Sequence, residues 1–119
     1  MGSSKSEVLQ KVTPTVSLSF DRLKHELCDA QTSVDRAKQL LLELLMNVKF
    51  TLRASKDDVQ LKPLVEVVDV WAELHKKMKY ATKEEVFAQA VHAVRALQEA
   101  TRKVDAKSDA LKVYEKILA

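Results

Sequence analysis

The chain has 119 residues, which suits one domain built around a single hydrophobic core. With one glycine, two prolines and 46% hydrophobic residues, its composition argues against a turn-rich β fold and favours helices. The formal net charge is +3, and basic and acidic residues are interleaved along most of the chain, which is typical of a solvated surface rather than of a nucleic-acid footprint.

The N-terminal segment, residues 1–18, mixes Ser, Thr, Lys and Val around Pro14 and shows no sustained helical period. We predict a flexible lead-in over these residues, of which 1–4 (MGSS) resemble an expression scar. A single helical bundle domain is predicted over residues 19–119. Ser19 is the predicted N-cap of a first, short helix, because apolar residues follow it at three- and four-residue steps: Phe20, Leu23, Leu27 and Ala30.

The most apolar segment of the chain is Ser33–Val48, SVDRAKQLLLELLMNV. Ser33 and Asp35 mark a predicted helix N-terminus. The apolar residues of this helix form one broad stripe: Val34, Ala37, Leu40, Leu41, Leu44, Leu45 and Val48. A helix this apolar must be covered on more than one side, so we predict that it lies at the centre of the bundle.

Residues 49–60 lose this stripe and are predicted to form an irregular connection, in which Phe50, Leu52 and Val59 are available to pack a short turn onto the core. Lys62 and Pro63 mark the start of another helix, because proline in the first turn loses no intrahelical hydrogen bond. Apolar residues then follow at helical spacing: Leu64, Val67, Val68, Trp71, Leu74 and Met78.

Thr82 and Glu85 form a predicted capping box at the start of the next helix. Apolar residues recur at helical spacing from there to the end of the chain, and the polar stretch 105–109 favours a break over one very long helix. The whole pattern predicts an all-α fold, a compact bundle of four to five helices arranged mostly as antiparallel hairpins.

No pattern in the chain predicts a catalytic, cofactor or metal site. The single glycine removes Gly-rich phosphate loops, and a closed zinc site needs more ligands than His25 and Cys28 supply. We interpret Cys28 as a half-buried thiol. Solvation and capping explain the adjacent carboxylates at 57–58 and 84–85 better than acid–base catalysis does. We therefore expect a protein that is not an enzyme and that has no cofactor.

The sequence also carries hints about the compartment. Its longest apolar run, Leu40–Met46, contains Glu43 and is far shorter than the roughly 20 residues that cross a bilayer, so we predict no transmembrane segment. A single cysteine excludes an intrachain disulfide framework and fits a reducing compartment. We expect an intracellular protein, in the nucleus or the cytoplasm.

A basic cluster, His75–Lys79, ends the predicted helix that begins at Pro63, and Tyr80 follows it. Its lysines, Lys76, Lys77 and Lys79, would attract phosphates or acidic peptides. Alternatively they form an ordinary solvated face whose positive charge favours a helix C-terminus.

Two stretches carry a family resemblance: FDRLKHELCDAQTSVDRAKQLLLELLMNVKFTL, from Phe20 onward, and KEEVFAQAVHAVRALQEA, from Lys83 onward. Over roughly residues 20–100 the chain resembles the TFIIS N-terminal domains and the related integrase-binding domains. The resemblance implies a right-handed bundle whose interhelical loops accept short acidic-hydrophobic motifs from transcription or chromatin proteins.

The resemblance also implies which residues contact a partner. The first interhelical loop would contribute Cys28 and Asp29, and the second would contribute Met78, Lys79 and Tyr80. The basic cluster adds Lys76 and Lys77 beside the second loop. These seven residues are the predicted partner-binding site.

Three functional hypotheses follow. The first is a protein–protein interaction module, an adaptor that binds a linear motif or a partner helix in transcription or chromatin regulation. The second is a helical scaffold or assembly subunit that forms a homo-oligomer or joins a larger complex through its C-terminal stripe, Val104–Leu118. The third is a basic-surface binder of nucleic acid or of an anionic membrane, whose binding would fall steeply with added salt.

Overall fold

The computed structural model of the protein describes residues 5–55 and 57–119. This part of the chain contains no β-strand, and it forms five α-helices: α1 (Lys5–Leu27), α2 (Val34–Leu52), α3 (Lys62–Lys77), α4 (Lys83–Val104) and α5 (Ala110–Leu118). Two short 3₁₀ turns, Arg53–Ser55 and Val59–Leu61, connect α2 to α3. The predicted all-α bundle is confirmed.

Helices α1 and α2 pack as an antiparallel hairpin. Their polar contacts pair later residues of α1 with earlier residues of α2: Thr15 with Thr51, Ser19 with Asn47, and Arg22 with Glu43. The next helices alternate in the same way, since Lys49 of α2 pairs with Asp69 of α3 and Trp71 of α3 stacks on His92 of α4. The first four helices therefore run up, down, up and down.

Helix α1 closes the bundle against α4. Phe20 of α1 lies 5.5 Å from Phe87, measured between ring centroids, and the Lys5 Nζ donates a hydrogen bond to the Val104 carbonyl at the other end of α4. Helix α5 packs against α1 and α4 near that second end, where Ala110, Tyr114 and Ile117 are buried.

Helix α2 lies in the core, as its sequence predicts. All but one of the apolar residues of its stripe are buried, and Val34 at its N-terminus is half-buried. Helix α2 packs against α1, α3 and α4, and Leu23, Val68 and Val94 of those helices belong to the same buried cluster. One continuous core therefore joins every helix of the described chain.

The N-terminal segment differs from its prediction. Residues 5–18 are not a flexible lead-in but the first half of α1, and Ser19 lies inside that helix instead of capping one. Four aliphatic side chains at helical spacing are buried here: Val8, Leu9, Val12 and Val16. Burying each of these side chains stabilises the fold by about 1.5–3 kcal/mol. The four contributions together exceed the ~3 kcal/mol cost of placing Pro14 inside a helix. Residues 1–4 lie outside the described residues.

The connection between α2 and α3 is shorter than predicted. Helix α2 continues to Leu52, whose side chain is buried, so the connection begins only after it. Phe50 and Val59 stay largely exposed instead of packing onto the core. The predicted start at Lys62 and Pro63 is confirmed, with proline in the first turn of α3.

Predicted helix ends are confirmed at three further places. The Arg36 backbone N–H donates to Ser33 Oγ at the start of α2, and the Glu85 N–H donates to Thr82 Oγ1 at the start of α4. The carboxylate of Glu85 accepts from the Ala81 N–H, one residue earlier than in a regular capping box. Helix α4 ends at Val104, so the predicted break before α5 is present.

No helix in the described part of the chain combines the length and the apolar character that crossing a membrane requires.

Candidate functional site

The two loops that the resemblance implicates lie next to each other. The α1–α2 loop spans residues 28–33 and the α3–α4 loop spans residues 78–82, and the alternating helix directions place both at one end of the bundle. The Lys83 Nζ donates a hydrogen bond to the Asp29 carbonyl oxygen, at 3.0 Å, and so joins the first loop to the start of α4. We call this region the loop end.

A cleft opens at the loop end between α1 and α4. Its volume is about 310 Å³, and its lining residues are Lys24, Leu27, Cys28, Lys83, Glu84 and Phe87. We call it the loop-end cleft. Leu27 and Phe87 are half-buried and pack against the core, so an apolar side chain entering the cleft would contact apolar surface.

Positive charge lies beside this apolar surface. The Lys24 Nζ is 5.8 Å from the centroid of the Phe20 ring, whose neighbour is the Phe87 ring. Lys83 is held on the opposite side by its bond to the Asp29 carbonyl. The cleft therefore combines an apolar wall with two ammonium groups, an arrangement that suits an apolar side chain with a carboxylate close to it.

The structure places the first predicted pair, Cys28 and Asp29, at the cleft but in different roles. Cys28 lines it, although its side chain is exposed and not half-buried as predicted. The Asp29 carboxylate accepts a hydrogen bond from the Gln31 N–H at 2.9 Å, which stabilises the turn. It is the Asp29 backbone, through Lys83, that shapes the cleft.

The second predicted group lies on the neighbouring loop and outside the lining of the cleft. Lys77 and Lys79 are exposed, and Met78 is 37% exposed. Lys76 forms an ion pair with Glu73 one turn earlier, so part of its charge is balanced within α3. These residues add positive charge and one apolar side chain near the loop end without forming a cavity of their own.

His75 and Tyr80 form a separate packed pair. His75 is 7% exposed, its Nδ1 lies 3.0 Å from the Tyr80 hydroxyl oxygen, and the ring centroids are 5.6 Å apart. Burial lowers the pKa of His75, the charge of Lys38 on α2 lowers it further, and a hydrogen bond with the Lys38 backbone opposes the shift. Burial also raises the pKa of Tyr80. His75 is therefore a neutral anchor for the second loop near neutral pH, and not a cation of the basic cluster as the sequence suggested.

The sequence did not single out five residues of the cleft as site residues: Lys24, Leu27, Lys83, Glu84 and Phe87. Lys83 and Glu84 follow the capping threonine directly, and Phe87 lies one turn later, but nothing in the local pattern shows that α1 packs beside them. The Phe20–Phe87 contact, which brings the two helices together, joins residues far apart in the sequence.

Residues 5–55 and 57–119 contain no set of metal ligands, because no three His, Cys, Asp or Glu side chains lie close enough together to hold an ion. His25 is exposed and borders a shallow recess on the other face of α1, with Leu18 and Arg22.

No family model, curated protein or solved structure significantly matches this chain. The resemblance to TFIIS N-terminal domains therefore stays a prediction, and the geometry of the loop end carries the functional argument.

Proposed function

We propose that this protein is a non-enzymatic interaction module whose loop-end cleft binds a short acidic-apolar segment of a partner protein. The observation that carries the proposal is the combination in one cleft of an apolar wall, Leu27 and Phe87, with two ammonium groups, Lys24 and Lys83. A peptide would insert one aliphatic or aromatic side chain against the wall and place a carboxylate near each lysine.

The size and openness of the cleft favour a linear motif over a folded domain. A volume of about 310 Å³ accepts a single large side chain, and interaction through one anchor is typical of short peptide segments. Exposed ion pairs contribute only about 0.2–1 kcal/mol each, so most of the affinity must come from the anchor. We expect a dissociation constant of about 1 µM to 1 mM.

The surroundings of the cleft favour an acidic partner. Lys77 at the end of α3 and Lys79 in the neighbouring loop are exposed and raise the local positive potential. Glu84 on the rim is the main opposing charge, and it would repel a carboxylate placed on its side. The ligand would therefore place its carboxylates toward Lys24 and Lys83 and away from Glu84.

Two observations weigh against the other hypotheses. The apolar stripe of the C-terminal helix is covered within the chain, since Tyr114 is fully buried and Ile117 is 9% exposed. Little apolar surface of that stripe is therefore left for contact with a second subunit. Basic side chains are balanced along the molecule by neighbouring acids, as in the Lys62–Glu66 and Arg102–Glu99 pairs, which lowers the potential that a nucleic acid or an anionic membrane would meet.

The family resemblance supplies the biological setting of this proposal. It favours an intracellular adaptor, in the nucleus or cytoplasm, whose partners are transcription or chromatin proteins. The chemistry of the cleft is independent of that setting, because it specifies only an acidic-apolar ligand.

A nuclear magnetic resonance titration of the full chain tests the proposal. The probe is a short synthetic peptide with a central leucine or phenylalanine flanked by Asp and Glu, and the matched control peptide has Lys in place of the acids. We expect the acidic peptide alone to shift the amide signals of Leu27, Cys28, Lys83 and Phe87.

Charge-reversal variants test whether the two lysines of the cleft contribute to peptide binding. Lys24→Glu and Lys83→Glu should each weaken binding of the acidic peptide by about tenfold, while Lys103→Glu, at an exposed position near the other end of α4, should change it less than twofold. Equal binding of both peptides, or shifts confined to a surface away from the loop end, would contradict the proposal.

A further inference from the structure

A larger recess lies between α2 and α3, in the half of the bundle away from the loop end. Its volume is about 560 Å³, and its apolar lining comes from Met46, Phe50, Leu52, Val65 and Val68. Leu52 and Val68 belong to the buried core and form its floor, while Val65 is half-buried on its wall. We call this recess the α2–α3 groove.

Phe50 at the edge of this groove is unusually exposed. The side chain retains 71% of its accessible surface, and Met46, one turn earlier on α2, retains 37%. The Arg53 guanidinium lies 5.9 Å from the centroid of the Phe50 ring and covers it only in part. A large aromatic ring thus projects into water directly beside an apolar recess.

The charges at the groove have both signs. Lys49 Nζ and Asp69 Oδ1 form an ion pair at 3.3 Å across it, with both side chains more than half exposed, and Arg53 lies on the rim. The same surface therefore offers a projecting ring and a recess, together with a cation and an anion that water still reaches.

This combination fits a second copy of the chain. A twofold interface uses one patch twice, so each projection must meet a recess and each charge an opposite charge on that same patch. We propose that two copies associate through the α2–α3 groove, with Phe50 of each copy inserted in the groove of the other and Arg53 of one copy facing Asp69 of the other. A small ligand would fill the recess but would leave the projecting ring in water. The loop-end clefts stay open in such a dimer, because they lie in the other half of the bundle.

Sedimentation equilibrium over about 1 µM to 1 mM of the full chain tests the proposal. We expect the unmodified protein to dimerise and Phe50→Ala to weaken dimerisation by at least about 100-fold, because each dimer loses two anchors. The matched control is Leu18→Ala on α1, whose side chain is 75% exposed, and it should leave dimerisation unchanged.

A mixing experiment tests the twofold arrangement itself. Val65→Trp fills the groove while leaving Phe50 in place, so this variant should also fail to dimerise alone. Mixed with Phe50→Ala, it should form a heterodimer that keeps one of the two insertions, and association of the mixture should be clearly stronger than that of either variant alone. Circular dichroism confirms folding, and Met46→Trp, at an exposed position of the same lining, replaces Val65→Trp if the latter does not fold.

Three results would overturn this dimer. One is an unmodified protein that stays monomeric throughout the concentration range. Another is a dimer that Phe50→Ala leaves intact or that Leu18→Ala disrupts equally. The third is a mixture that associates no better than its two components.

Discussion

His75 ties together three parts of the loop end. It lies in the last turn of α3, its ring meets the Tyr80 hydroxyl from the α3–α4 loop, and it lies near Lys38 of α2. Of the three histidines in the chain it is the buried one, since His25 and His92 are exposed. Protonation would put a second positive charge close to Lys38 in a site with little water, so the folded state favours the neutral ring.

A lowered pKa in the folded state makes stability depend on pH in a defined direction. In the unfolded chain His75 takes up a proton near pH 6.5, whereas in the folded chain its ring stays neutral until the pH is lower. The stability due to the neutral ring is therefore fully present above about pH 6.5 and is lost as the pH falls below that value, with a slope of at most about 1.4 kcal/mol per pH unit.

Urea unfolding at a series of pH values between about 7.5 and 5 measures this dependence. We expect the midpoint to fall with pH in the unmodified protein and to fall less steeply in His75→Gln, which cannot take up the proton. Tyr80→Phe is the matched variant that keeps the histidine, and it should keep the pH dependence. Parallel curves for the unmodified protein and His75→Gln would show that His75 does not carry the effect.

At the scale of helices, the sequence predicts α2, α3 and α4 because local signals agree at each of them. A capping serine or threonine, or a proline in the first turn, coincides with a regular apolar stripe in all three. The first half of α1 lacks that agreement. Its residues Val8, Val12 and Val16 are β-branched, and Pro14 interrupts the pattern, so the local preference opposes a helix that packing nevertheless forms.

Packing against the core therefore keeps the first half of α1 helical, although the backbone preference of Pro14 opposes a helix there. The residue is exposed, so its ring contributes little packing, and it leaves the Gln10 carbonyl without the usual helical donor. Pro14→Ala should raise the free energy of unfolding by about 1–3 kcal/mol, because it restores that donor, less the entropy that proline removes from the unfolded chain.

Guanidinium unfolding monitored by circular dichroism checks this value. Gln10→Ala, at another exposed position of the same helix, is the control and should change stability by less than about 0.5 kcal/mol. A Pro14→Ala protein of unchanged or lower stability would mean that α1 does not continue through this position in solution.

At the scale of the whole molecule, both candidate surfaces depend on contacts between distant parts of the chain. The family resemblance implies that the loops at 28–29 and 78–80 contact a partner. The structure brings Cys28 to a cleft, but Lys24 and Phe87 line it only because α1 packs beside α4. Phe50 was expected to pack on the core, and it projects outward because α2 stays helical through that residue. Helical periodicity predicts which face of an element is apolar and does not specify which neighbour covers it.

Tyr114 shows how the last helix joins this single core. The side chain is fully buried where α5 meets α1 and α4. Burial raises the pKa of its hydroxyl to about 12, although the Thr101 side chain lowers that pKa to a smaller extent. That hydroxyl makes no hydrogen bond of regular geometry within the described residues. The ring therefore contributes to stability by its packing, and the hydroxyl contributes little.

Tyr114→Ala should lower the free energy of unfolding by about 3–5 kcal/mol, because it leaves a cavity that α5 alone cannot fill. Tyr114→Phe, which keeps the ring and removes only the unpartnered hydroxyl, should stay within about 1 kcal/mol of the unmodified protein.

Trp71, the single tryptophan, lies on α3 and reports from a different helix pair. If the helices share one cooperative core, the fluorescence of Trp71 and the circular dichroism of all the helices will follow the same unfolding curve, and Tyr114→Ala will shift both equally. A shift of the circular dichroism curve alone would show instead that α5 unfolds separately from the rest of the bundle.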